Sequence, residues 1–154
     1  PGIFPVKETE LKYISSFFGN RLVPIYKISK FHSGIDFSAA KGTEAYATGD
    51  GVVCDVERNE WGYGNMVTID HGYGYKTRYA HLQKAAVRKG QKVKRGQKIG
   101  YIGDSGKTTG VHLHYEVLKN DVQVDPINFF YNDLTPDEYD QILEQSTLPT
   151  QTMD

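Results

Sequence analysis

Histidine and aspartate side chains form two short patterns that suit a metal ion. His32 precedes Asp36 by four residues, and His112 and His114 flank Leu113 in a second pattern. Imidazole nitrogens and carboxylate oxygens are zinc ligands, and two histidines with one carboxylate leave a tetrahedral position open for water. The residue types therefore indicate a catalytic rather than a structural metal site. Chance occurrence of His-x-x-x-Asp, and a polar strand surface for His-x-His, are the competing interpretations.

The second pattern acquires its geometry from an extended strand. Residues i and i+2 of a strand point to the same face, so His112 and His114 project side by side while Leu113 faces the core. Two adjacent imidazoles are costly to keep charged together. They become useful when one is a neutral metal ligand and the other transfers protons.

The elements that position these residues are predicted to be strands. Residues 34–125 alternate short β-like segments with turn residues, and the chain holds 16 Gly and 11 Tyr. No helical periodicity of useful length interrupts them. Such spacing predicts a mainly β fold, with an antiparallel sheet, sandwich or barrel-like core. The run from Gly49 to Gly51 predicts a hairpin that joins strands at 43–48 and 51–58.

The charges divide the chain into a basic body and an acidic tail. All 18 basic residues and 13 of the 19 acids lie in residues 1–130, for a formal charge of +5, whereas residues 131–154 carry −6. The body charge is too modest to argue for nucleic-acid binding. Residues 84–98 hold seven bases and no acid. They form either a solvated face or a surface that attracts an anionic polymer.

The tail carries the clearest helix signal. Thr135, Pro136 and Glu138 form a capping box, and an apolar stripe follows at Tyr139 and Ile142. We therefore expect a short C-terminal helix in this segment.

Length and composition bound the class of protein. The 154 residues suit one domain with a real core, and no stretch is apolar enough to span a membrane. The single cysteine, Cys54, excludes an intramolecular disulfide and a Cys-rich zinc site, and we expect it to be a small core residue. The start at Pro1 lacks an initiator Met and a signal peptide, so we expect a piece of a longer protein.

Taken in order, the motifs resemble the LytM/lysostaphin-type zinc metallopeptidases, peptidase family M23. The similarity runs from about residue 14 to Pro126. Its most specific segments are Phe31–Phe37, Tyr79–Leu82 and Gly103–Glu116, with further likeness at Gly64–Gly72 and Lys94–Gly100.

The resemblance implies a role for each site residue. It makes His32, Asp36 and His114 the ligands of Zn²⁺, and it makes His81 and His112 the catalytic histidines that do not bind metal. There is no His-Glu-x-x-His motif, so the two histidines would move the protons. The implied fold is a LytM/lysostaphin-like, mostly antiparallel β core with a groove.

The implied function is zinc-dependent hydrolysis of peptide cross-links in bacterial peptidoglycan. The substrate would be its stem peptides or cross-bridges, outside the cytoplasm, in the periplasm or cell envelope. We expect no nucleic-acid partner and no membrane span within these 154 residues, with an anchor possible elsewhere in a longer protein. The implied organisation is a lead-in at 1–30, a peptidase domain at 14–130 and the acidic helix and tail at 131–154. Three alternatives stay open: a non-catalytic module that binds or activates another wall hydrolase, a family enzyme with another substrate, and a β domain with adventitious histidines.

Four further residues receive structural interpretations. Asn65 is expected to shape a turn and Ser105 to shape the loop before the His-x-His strand. Glu116 shares the strand face of His114, and it is either a supporting residue behind the metal ligands or a plain surface carboxylate. His71 precedes Gly72 in a turn and is expected to be structural or exposed.

Overall fold

Twelve strands and one short helix make up the described part of the chain. The computed structural model describes residues 3–23, 28–108 and 110–130. The strands are β1 Leu11–Ser16, β2 Gly19–Val23, β3 Ile28–His32, β4 Ile35–Ala39, β5 Glu44–Tyr46, β6 Gly51–Glu57, β7 Asn65–Gly72, β8 Tyr75–Ala85, β9 Lys92–Val93, β10 Lys98–Ile102, β11 Leu113–Lys119 and β12 Val122–Val124. The helix, α1, is Ile127–Phe130.

A ten-stranded antiparallel sheet forms the body. Its main path runs β1-β4-β11-β8-β7-β6-β9, with β10 beside β5 and β8, and β12 beside β11. Strands β2 and β3 form a separate two-stranded sheet. All pairings among the described strands are antiparallel, which confirms the predicted fold class. No helix within these described ranges is long and apolar enough to cross a membrane.

The core lies where the central strands alternate apolar side chains. Phe37 of β4, Tyr79 and Leu82 of β8, and Leu113 and Tyr115 of β11 are each fully buried. Leu113 therefore faces the core between two histidines, as the extended-strand pattern predicts. Strand β4 is buried along its whole length, so its polar members are withdrawn from water together with its apolar ones.

A chain of hydrogen bonds between buried hydroxyls stabilises this core. Thr48 Oγ1 bonds the hydroxyls of Tyr115 at 2.8 Å and Tyr79 at 3.1 Å, and Thr77 Oγ1 bonds Tyr79 at 2.8 Å. His71 Nε2 continues the chain at 2.6 Å from Thr77 Oγ1. Burial lowers the pKa of His71, although its hydrogen bond to the Asp50 carbonyl opposes that shift. His71 is therefore structural, because the Asp50 carbonyl and the Thr77 hydroxyl bind its two ring nitrogens.

The predicted hairpin at Gly49–Gly51 is wrong. Strands β5 and β6 flank that turn but do not pair: β5 pairs with β10, and β6 pairs with β7 and β9. The backbone of Ala47 bonds Gln97 and Gly96 instead, so the segment before β10 takes the place beside β5. Long-range pairing overrides the local turn signal here.

Three other expectations concern the tail helix, Cys54 and the basic residues 84–98, and they have different outcomes. The helix predicted after Thr135 lies outside the described residues. Cys54 is half-buried rather than a core residue, and its Sγ lies 3.6 Å from the Thr68 carbonyl oxygen. The seven basic side chains of residues 84–98 are all exposed, and the ammonium groups of Lys84 and Lys98 both lie over the ring of Tyr101.

Candidate active site

The pairing of β4 with β11 places two of the predicted ligands side by side. Asp36 lies directly opposite His114 in the register, and His114 lies opposite Ala80 of β8. Directly opposed residues of an antiparallel pair have their Cβ atoms about 4.5–5.5 Å apart. The ladder itself therefore sets the 2.8 Å distance between His114 Nδ1 and Asp36 Oδ1.

His32 joins them across the tight connection between β3 and β4. Its Nδ1 donates to the Phe17 carbonyl at 2.9 Å and lies 3.3 Å from Ser16 Oγ, so Nε2 faces Asp36 Oδ2 at 3.3 Å. Gly34 makes the connection possible, because a Cβ there would collide with the carbonyl of Tyr115. The close approach of the turn to β11 brings His32 to the other two residues.

These three side chains fit a divalent metal ion. They are buried, and each offers one ligand atom within 4.8 Å of the others. Asp36 Oδ2 is buried with no hydrogen-bond partner among the described residues. Two imidazole nitrogens and one carboxylate oxygen are a donor set that zinc accepts, with a coordination position left over.

The electrostatics of the cluster favour a cation between the ligands. Burial opposes ionisation of Asp36, but the hydrogen bond from His114 and the positive charges of His114 and His32 outweigh it and hold the pKa of Asp36 well below its usual range. Burial likewise opposes a charge on His114, yet Asp36 and Glu116 raise its pKa to about 10. The two carboxylates thus favour positive charge at His114, and a bound cation would supply such charge at the same place.

His81 reaches the cluster through an unusual backbone conformation. It follows Ala80 on β8 with φ of +60°, a left-handed value that is rare for residues other than glycine. Its backbone N–H donates to the Tyr63 carbonyl at 2.8 Å, and its Nδ1 donates to the Ser105 carbonyl at 2.7 Å. Burial lowers the pKa of His81. The ring is therefore neutral near pH 7, with a lone pair on Nε2.

His112 also points its Nε2 toward the cluster, as His81 does. Its Nδ1 lies 3.1 Å from the Gly110 carbonyl, to which it donates, and 3.1 Å from Thr108 Oγ1. Its Nε2 is buried, 3.6 Å from Asp36 Oδ1, and has no hydrogen-bond partner in the described ranges. The rings of His81 and His112 lie 5.1 Å apart between centroids. The structure thus brings all five predicted site residues into one cluster.

Comparison with known proteins identifies the family. The model of peptidase family M23 matches residues 30–126. The chain belongs to peptidase family M23. The peptidoglycan DD-endopeptidase ShyA of Vibrio cholerae is 46% identical over 125 residues, which cover 81% of this chain and 28% of ShyA. The M23 chain thus spans less than a third of the length of that curated relative.

Solved structures support the same assignment. A zinc-containing peptidase from Vibrio cholerae matches this M23 chain with a TM-score of 0.74 and 42% identity, covering 81% of this chain and 39% of that one. The catalytic domain of lysostaphin from Staphylococcus simulans matches with a TM-score of 0.68 and 29% identity, covering 77% and 92%. The LytM/lysostaphin-like fold is therefore confirmed.

The M23 site includes supporting residues that local patterns do not reveal. Glu116 is fully buried, so the surface interpretation of this carboxylate is wrong. Ser33, Tyr63 and Arg78 all contact it, from positions 83, 53 and 38 residues away in the chain. The only local signal was its spacing of two from His114.

Ser105 lies in the loop before the His-x-His strand and, with Asn65 at the start of β7, connects that loop to β8. Ser105 Oγ donates to the Leu82 carbonyl at 2.5 Å and accepts from the backbone N–H of Asn65 at 3.0 Å. Asn65 Nδ2 donates to the carbonyls of Leu82 and Gln83. These bonds fix the loop whose Ser105 carbonyl orients the His81 ring.

Proposed function

We propose that this chain is the catalytic domain of a zinc-dependent endopeptidase that hydrolyses peptide cross-links of bacterial peptidoglycan. One observation carries the proposal. Three buried ligand-type side chains converge with two histidines that each have Nδ1 bound to a backbone carbonyl. A metal and two proton-transfer groups within one cluster are what peptide hydrolysis requires.

His32, Asp36 and His114 would hold the metal. The Nδ1 bond of His32 to the Phe17 carbonyl leaves its Nε2 as the ligand atom, whereas His114 would offer Nδ1, because its Nε2 is bound to Glu116. When bound, zinc acts as a Lewis acid that polarises the scissile carbonyl and makes water acidic enough to attack near neutral pH.

His81 and His112 would move the protons. Because each donates Nδ1–H to a carbonyl, the neutral form of each has its lone pair on Nε2 and can accept the proton of the attacking water. Once protonated, the same nitrogen can stabilise the developing oxyanion and return a proton to the leaving amine. The left-handed backbone of His81 is consistent with a functional role, since such strain concentrates at active sites.

We further propose that the substrate is a cross-link between stem peptides. ShyA is named a DD-endopeptidase, and a relative from Neisseria meningitidis that is 41% identical is named a DD-carboxypeptidase/endopeptidase. Peptidoglycan lies outside the cytoplasm, so the enzyme would act in the periplasm or cell envelope. We propose residues 14–130 as the peptidase domain, which overlaps a lead-in at 1–30 and is followed by an acidic helix and tail at 131–154.

Turnover of purified cell walls tests this function. Zinc-loaded protein should release soluble muropeptides from walls, and mass spectrometry should identify newly freed termini at cross-links. His81→Ala should abolish release while it still binds one zinc ion. Walls with direct and with glycyl cross-links, digested in parallel, should distinguish the bond that is cut. A metal-loaded protein that releases nothing from either wall contradicts the proposal.

The rival function is a non-catalytic module that activates another hydrolase. Loss of a ligand or of a catalytic histidine would favour it. All five predicted positions are occupied and clustered in this chain, which favours the enzyme.

A further inference from the structure

We infer that Glu116 is a positioning residue that holds His114 in the tautomer able to bind the metal through Nδ1. The inference rests on the proposed metallopeptidase function. It assigns Glu116 a specific task behind the metal ligands, and it explains why a carboxylate is fully buried beside them.

The two ring nitrogens of His114 face two different carboxylates. Nδ1 lies 2.8 Å from Asp36 Oδ1, and Nε2 lies 2.8 Å from Glu116 Oε2. A neutral imidazole carries one proton, and the nitrogen without it is the ligand. An ionised carboxylate only accepts hydrogen bonds, so Asp36 and Glu116 each favour a proton on the nitrogen that they face. A cation held by Asp36 and His32 would displace the proton on Nδ1, and Glu116 would then keep the remaining proton on Nε2. That form leaves the lone pair on Nδ1, beside Asp36.

Contacts from three other parts of the fold fix Glu116 in turn. Oε2 accepts from Ser33 Oγ at 2.5 Å and from the Tyr63 hydroxyl at 2.7 Å, while Oε1 accepts from Arg78 Nη1 at 3.2 Å. Ser33 belongs to the β3–β4 connection, Tyr63 to the loop before β7, and Arg78 to β8. A carboxylate held from three sides cannot rotate away from the His114 ring.

The same contacts explain how a charged group tolerates burial here. A buried charge needs a partner and filled hydrogen-bond positions. Arg78 supplies the opposite charge, and Ser33, Tyr63 and His114 supply donors. The Tyr63 ring also lies 5.8 Å from the His114 ring between centroids. Tyr63 therefore contacts Glu116 through its hydroxyl and His114 through its ring.

Zinc binding and ring protonation test the inference together. Zinc affinity would be measured by competition with a chelating dye, and the His114 tautomer by nitrogen-15 NMR of the zinc-loaded protein. Glu116→Ala should weaken zinc binding about 10–100-fold, as loss of a group behind a metal ligand generally does. It should also remove the slowly exchanging Nε2–H signal of His114.

Glu116→Gln is the near-isosteric variant. If Glu116→Ala does not fold, Glu116→Gln alone tests the positioning role. Its amide oxygen can still accept Nε2–H, but its amide nitrogen would face Arg78, donor against donor. We expect the Nε2–H signal to remain and zinc affinity to fall by less than in Glu116→Ala. Tyr115→Phe is the matched control. It removes a buried hydrogen bond to Thr48 from the adjacent residue, and it should lower stability without changing zinc affinity.

The outcomes separate this inference from the proposed function. Wild-type protein that binds no zinc contradicts the metallopeptidase itself. Wild-type protein that binds zinc, with folded Glu116→Ala binding zinc as tightly as Tyr115→Phe and keeping the slowly exchanging Nε2–H signal of His114, overturns the positioning role alone. If Glu116→Ala does not fold, Glu116→Gln binding zinc as tightly as Tyr115→Phe overturns it.

Discussion

Ser105→Ala should separate the catalytic role of His81 from metal binding. The hydroxyl donates to the Leu82 carbonyl at 2.5 Å and accepts from the Asn65 N–H at 3.0 Å. Each such bond contributes about 1 kcal/mol net, and an unsatisfied N–H costs about 1–3 kcal/mol. We therefore expect the free energy of unfolding to fall by about 1–3 kcal/mol.

The effect on catalysis should exceed the effect on stability. The backbone carbonyl of the same residue accepts from His81 Nδ1 at 2.7 Å, so loosening the loop lets that ring shift. A displacement of about 1 Å can reduce a rate about 100-fold. We expect kcat to fall about 10–100-fold with KM nearly unchanged. Zinc affinity should not change, because Ser105 contacts none of the three proposed ligands in the described structure.

The assay would follow cleavage of a defined cross-linked muropeptide by chromatography at saturating zinc, with urea unfolding in parallel. Thr48→Val is the matched control, because it loses buried hydroxyl hydrogen bonds away from the site. It should lower stability to a similar extent and leave kcat unchanged. Equal kcat in wild-type protein and Ser105→Ala, at a measurable loss of stability, would refute the argument that this loop positions His81.

Three other perturbations address the metal, the pH dependence and the β3–β4 turn. Removing zinc present at 100 times its dissociation constant should lower stability by about 2.7 kcal/mol, or about 5–10 °C in Tm by calorimetry. Asp36→Ala should show no such difference. Because burial lowers the pKa of His71, the unfolded chain takes up a proton that the folded one does not, so stability should fall as pH drops below about 6.5. His71→Gln should show a smaller fall between pH 7 and 5 in urea titrations, and an equal fall would contradict that assignment. Gly34→Ala should cost about 1–3 kcal/mol and weaken zinc binding, because the new methyl group meets the Tyr115 carbonyl. Unchanged melting and zinc titration curves would contradict this prediction.

Local sequence patterns account for the fold class and for the ligand candidates. Alternation along β11 places Leu113 in the core and His114 on the opposite face, and both follow from a period of two. The assignment of His81, and the choice of His114 rather than His112 as a metal ligand, came only from family resemblance. Its position depends on a left-handed φ and on the Ser105 carbonyl, and neither has a signature in side-chain type.

The remaining features depend on contacts that are distant in sequence. The prediction of a hairpin at Gly49–Gly51 was wrong because β5 pairs with β10, which lies about 50 residues later in the chain. The contacts of Tyr63 and Arg78 with Glu116 likewise join separate strands and loops. Every residue has a backbone carbonyl, so the sequence does not show which carbonyls will orient the catalytic rings.

The direct opposition of Asp36 and His114 links metal binding to strand register. A slip of one residue between β4 and β11 would turn one of the two side chains toward the other face of the sheet. A chain folded in that register would keep most of its sheet but have no place for zinc. Metal uptake would thus act as a check on folding, because only molecules with the correct pairing would gain the stability of the bound ion.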